Sequence, residues 1–154
     1  MPSLSVIAAC RPRGWRRGAA MVETAAVLSL FLLLLFGVME YCRLIFMRQL
    51  IENATREGAR FAVVNTNDPN LVADTQTSVN RAMAGMNNGL NNYAVTVYQA
   101  DSNGNNIGAA SSAQFGQYIC VQIDGDYNPI APVLLLLGNN LHFTQKTMMY
   151  SEAN

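Results

Sequence analysis

The chain has 154 residues, 51% of them apolar and 13% charged, and a formal net charge of zero. That is the length of one domain, too apolar for a long disordered chain and poor in charge for a soluble surface. The charge is uneven: Arg11, Arg13, Arg16 and Arg17 come first, and the six basic and ten acidic side chains after Gly18 leave a net −4 there. A basic head on an acidic body argues against nucleic-acid binding, which needs a basic face on the folded part. It is the distribution of a short segment retained on the cytoplasmic side of a membrane. Cys10, Cys42 and Cys120 form no CxxC pair or zinc spacing, and there is one histidine. No catalytic residue, metal site or cofactor is expected from so thin a set.

From Ala25 to Met39 the chain reads AAVLSLFLLLLFGVM, without a charge. Counted from Ala19, twenty-one helical residues span roughly 31 Å, close to the ~30 Å of a bilayer core. Glu40, Tyr41 and Arg43 close the stretch, with Tyr41 where an interfacial aromatic belongs. The upstream arginines place the N-terminus in the cytoplasm and the rest outside. A cleaved secretory signal is disfavoured, because the core runs into GVMEYCR and not into a small-x-small site. Arg16-Arg17 lacks the apolar residues that follow a twin-arginine signal, and Ile7-Ala8-Ala9-Cys10 has no basic residue before its lipoprotein-like box. A plain signal anchor accounts for the hydropathy but not for Glu23.

A carboxylate within an apolar helix costs a few kcal/mol on translocon-type scales and is a functional hypothesis by default. The partner it implies is a free α-amino group, created by a cut between Gly18 and Ala19 that leaves Glu23 as the fifth residue. Within one chain Glu23 then favours the helix dipole. Between chains it neutralises a neighbour's new ammonium, and a charge pair of that kind specifies register more than it adds stability.

Basic residues, a glycine and then a helix with glutamate at its fifth position form the type IV prepilin pattern. RRGAAMVETAAVLSLFLLLLFGVMEYCRLIFMRQLIENATREGARFAVV resembles the N-terminal region of TadE-like minor pilins of the tight-adherence (Flp) pilus system. The resemblance rests on Gly18 to Glu23, on Glu40-Tyr41, and on Asn53-Ala54-x-Arg56-Glu57-Gly58-Ala59-Arg60. It covers residues 15 to 64 well and 117 to 152 loosely. One departure is Thr24, where the family often has an aromatic. The resemblance implies a non-enzymatic pilin or pseudopilin of the bacterial inner membrane, single-pass, with its C-terminal domain periplasmic or extracytoplasmic. A prepilin peptidase would cut at Gly18, whose missing Cβ lets a protease approach the backbone. Glu23 would serve assembly with other pilins and the pilus assembly platform. The alternative is an uncleaved single-pass protein whose outer domain binds another envelope partner, and a membrane-anchored hydrolase is disfavoured for want of a nucleophile and base.

Beyond the membrane the helix should continue to Val64, roughly 69 Å from Ala19. Leu44, Met47, Leu50, Ile51, Ala54, Gly58, Phe61 and Ala62 share one face at helical spacing, with Arg48/Glu52 and Glu52/Arg56 as i,i+4 pairs opposite. Gly37 and Gly58 are the candidate bends. Asp68 is read as the cap of a second helix with Pro69 in its first turn, its apolar side formed by Val72, Val79, Met83 and Met86. Tyr93–Gln99, Gln117–Asp126 and Leu141–Tyr150 alternate as strands, with Ile119, Val121 and Ile123 on one face. DSNGNNIG (101–108) imitates the start of a calcium loop, but Asn106 replaces the glycine and Ser112 the final glutamate, so it reads as a hairpin turn. Asp124, Asp126 and His142 read as ordinary strand residues. Pro132 to Gly138 is an apolar run too short to cross a bilayer, either a buried connection or a contact patch. Cys42 and Cys120 both fall outside the cytoplasm, where disulfides persist; a bond between them and two unpaired thiols both remain open. The expected class is α+β and pilin-like: a long N-terminal helix packed against a small antiparallel sheet. The divisions are a leader (1–18), a transmembrane helix (19–41), its amphipathic extension (42–64) and a small outer domain (65–154).

Overall fold

A computed structural model describes residues 14–130 and 140–152, with side chains from Gly18 onward. Arg11, Arg13, Cys10 and the run Pro132 to Gly138 lie outside the described residues, as do the side chains of Arg16 and Arg17. The chain forms two compact units, Met1–Phe36 and Gly37–Asn154. Helix α1 is Gly14–Val64. It holds no proline and is dominated by Leu, Ala, Met, Glu and Arg, the residues that lose least on entering a helix.

In the first unit every residue from Gly18 to Leu34 is exposed. The second unit has a core. Met47, Ile51, Ala54, Ala59, Ala62 and Val63 of α1 are buried with Ile119, Val121, Ile123 and Tyr127. The inward stripe is slightly rotated from the expected one: Thr55, Ala59 and Val63 are inside, while Phe61 is half-buried. Gly58 is a point of close approach and not a hinge, because a Cβ there would drive into the methyl of Val79. Of the two expected ion pairs Glu52–Arg56 forms, but Arg48 forms none among the described residues.

Helix α2 is Leu71–Ala82. Its N-cap is Asn70, without a side-chain cap bond; Asp68 Oδ1 instead accepts the N–H of Asn70 at 2.8 Å. The expected Asp68 cap is therefore displaced by a tight Asx turn, which puts Pro69 outside the helix. The buried stripe is Leu71, Thr75, Val79 and Met83, leaving Val72 and Met86 exposed. A four-residue spacing through the threonine wins over the stripe read from apolar residues alone.

Strands β1 (Leu90–Ala100), β2 (Asn106–Ala109), β3 (Tyr118–Tyr127) and β4 (Leu141–Tyr150) form one antiparallel sheet in the order β2-β1-β3-β4. The short β2 is unannounced in the sequence, since its four residues NIGA carry no alternation. The β1–β2 turn is closed by Asp101, whose Oδ1 accepts the N–H groups of Asn103 and Asn105, both at 2.8 Å. The carboxylate that imitates a calcium ligand is thus spent on its own hairpin. Ile119, Val121 and Ile123 face α1, and Cys120 between them faces the other way, against Tyr98 and Ala100. The end of β4 returns to the end of α1: Ser151 Oγ lies 3.1 Å from Thr66 Oγ1, and the N–H of Glu152 donates to the carbonyl of Val63 at 3.1 Å.

Candidate functional site

The sequence singles out Gly18, Ala19 and Glu23, and all three are exposed on α1. A Cβ at Gly18 would meet nothing within 4 Å, so its backbone is open to approach from outside. Thr24 returns its hydroxyl to the carbonyl of Ala20 at 2.8 Å, which hides a polar group inside the helix as a lipid-facing position requires. Glu23 makes no hydrogen bond or ion pair among the described residues. It stands among Met21, Val22, Val27 and Leu28, all exposed. One stretch of α1, within Gly18–Val64, is long and apolar enough to cross a membrane, with none of that window buried inside the protein.

The second carboxylate of the apolar segment has the opposite fate. Glu40 is 6% exposed. Its Oε1 accepts the phenol O–H of Tyr127 at 2.9 Å and the backbone N–H of Ile130 at 3.1 Å. Arg43, one turn on, puts Nη1 3.9 Å from the same oxygen and its guanidinium carbon 5.3 Å from the centre of the Tyr127 ring. Burial, reinforced by the hydrogen bond to Glu40 and opposed by Arg43, pushes the Tyr127 hydroxyl up to about 12. Sequence reasoning took Glu40 and Arg43 only as the polar end of the span. Their i,i+3 spacing was the available signal that they act together.

Among the described residues Cys42 and Cys120 form no disulfide; Cys42 is exposed and Cys120 buried. The strand's period of two turns Cys120 to the sheet face opposite α1.

Asp124, Asp126 and His142 are more than isolated strand ends. Asp126 Oδ1 lies 2.6 Å from His142 Nδ1, and Asn92 Nδ2 donates to Asp126 Oδ2 at 2.6 Å. These contacts, Asn92 first, hold the Asp126 carboxyl below its ordinary range. Thr144 Oγ1 lies 3.1 Å from His142 Nε2 and donates to Asp124 Oδ1 at 2.8 Å. The Asp124 carboxylate competes with His142 for the one hydroxyl proton of Thr144. Register creates these contacts: Asp126 pairs with His142 and Asp124 with Thr144 across β3 and β4. Among the described residues no group of three or more His, Cys, Asp or Glu is placed to hold a metal ion.

An apolar helix leading into a small α+β domain is the build of a single-pass, helix-anchored protein. Residues 18–60 match the family model described as TadE-like protein. Over that segment the chain is similar to TadE-like proteins. No match was found among curated proteins or among solved structures.

Proposed function

We propose that this chain is a minor pilin or pseudopilin, cut between Gly18 and Ala19 by a prepilin peptidase and assembled through α1 into, or alongside, a tight-adherence pilus. The observation that carries the reading is the family match that begins at Gly18 itself, with an exposed carboxylate five residues further on. In lipid, Glu23 needs a cation, and the α-amino group freed by the cut supplies one on a neighbouring subunit. The leader is then residues 1–18 and the spanning helix residues 19–41, with the N-terminus cytoplasmic and the domain on the far side of the bacterial inner membrane. The competing reading is an uncleaved anchor whose outer domain binds an envelope partner.

N-terminal sequencing of protein extracted from membranes that contain a prepilin peptidase separates the two. A sequence starting at Ala19 is expected, and one starting at Met1 or Pro2 overturns the proposal. In the same cells Glu23→Ala should be cut normally yet fail to co-purify with the other pilins; undiminished co-purification removes the charge-pairing mechanism.

A further inference from the structure

The apolar run of the sequence stops at Met39 because Glu40 and Arg43 follow, yet the surface of the helix does not change there. Glu40 is buried and Arg43 half-buried against Tyr127. The residues that α1 exposes from Val38 to Phe46 are Val38, Met39, Tyr41, Cys42, Ile45 and Phe46. From Arg48 onward the exposed residues, Arg48, Gln49, Asn53, Arg56, Glu57 and Arg60, are all polar until Val64. The outward face therefore switches between Phe46 and Arg48, about two turns beyond the first charge. On the domain side, the N–H of Ile130 is fixed to Glu40, while the Ile130 side chain is 78% exposed. Two elements of one unit thus present apolar side chains at the same end of the domain.

We infer that this end of the domain is seated in the bilayer interface, with Tyr41, Ile45, Phe46 and Ile130 in contact with lipid. The rise from Glu40 to Phe46 is about 9 Å, of the order of the interfacial band on one side of a bilayer, roughly 5–7 Å. The occupant is lipid because the exposed face continues, in sequence, the apolar stretch that crosses the membrane. Tyr41, Arg43 and Arg48 are also the aromatic and cationic residues that such a band collects. Seating the domain this deep would put a carboxylate at headgroup depth. The Tyr127 hydroxyl, the Ile130 N–H and Arg43 give Glu40 its partners inside the protein, so it need not face lipid. The inference requires that α1 enters a bilayer and does not depend on cleavage at Gly18.

Its test is depth-dependent fluorescence quenching in the full chain. With Trp15 replaced by phenylalanine, single tryptophans are introduced as Leu33→Trp, Phe46→Trp, Ile130→Trp and Phe115→Trp. Each protein is placed in phosphatidylcholine–phosphatidylglycerol vesicles with or without lipid brominated near the headgroup or deep in the acyl chain. Leu33→Trp should be quenched best by the deep bromines. Phe46→Trp and Ile130→Trp should be quenched best by the shallow ones, with a fold-loss of emission comparable to that of Leu33→Trp. Phe115→Trp, exposed elsewhere on the domain, should be unaffected. Quenching at Leu33→Trp with Phe46→Trp and Ile130→Trp as unquenched as Phe115→Trp overturns the inference and leaves the membrane anchor standing. Blue-shifted but unquenched emission at Phe46→Trp and Ile130→Trp means that protein covers this face, and equally overturns it. No quenching at Leu33→Trp removes the anchor and the inference together.

Discussion

Two carboxylates of α1, Glu23 and Glu40, stand in apolar surroundings with different consequences. Glu23 is exposed without a partner among the described residues. Glu40 is satisfied from within by Tyr127 and Ile130. Tyr127→Phe keeps the ring and removes one charge-assisted hydrogen bond to a buried acceptor. It should lower the unfolding free energy by about 1–3 kcal/mol, measured by denaturant titration of the full chain in a non-ionic detergent. The same substitution should flatten the alkaline limb of stability. A phenol raised from 10.0 to about 12 contributes stability that is complete below its unfolded value and is lost as pH rises through the folded one. Glu23 was legible in the sequence because it interrupts an apolar run. The role of Glu40 was not, because its partners lie 87 and 90 residues away, and no local pattern reports a contact of that separation.

At the level of elements, α1 and α2 meet where Gly58 faces Val79. Gly58→Ala gains about 1 kcal/mol in helix propensity but forces a methyl into occupied space, a cost of about 1–3 kcal/mol. A net loss of stability is expected. Adding Val79→Ala should make the double variant more stable than the sum of the two single losses predicts, as read from thermal unfolding midpoints. A glycine in a helix reads from sequence as a bend, since its missing side chain is visible there and the atom that needs the space is not. The same limit explains the shifted stripe of α2, where Thr75 is buried and Val72 exposed. By contrast the bounds of β4 were legible to the residue, and LHFTQKTMMY alternates between half-buried and exposed along its whole length. The four-residue β2 has too little pattern to be seen.

Across the whole molecule, acid should act through the carboxylates whose folded values are depressed. Asp101 is held low chiefly by Asn105, and Asp126 chiefly by Asn92 and then by His142. Because folding lowers both, their contribution is complete above the ordinary value of 3.8 and is lost as pH falls through the folded values. Thermal unfolding of the full chain in detergent, followed from about pH 6 to about pH 3, should show a midpoint that drops at the acid end. Asp126→Asn should shallow that drop. The α+β class and the long helix followed from hydropathy and period. The joining of the helix end to the last strand did not, since Thr66 and Ser151 are 85 residues apart. That joining orders events in time: the C-terminal end of α1 is made long before the residues that fasten it, and contacts of such separation form late. A growing chain therefore cannot fasten the end of α1 until synthesis has passed residue 151, which leaves a window beforehand in which a chaperone has something to hold.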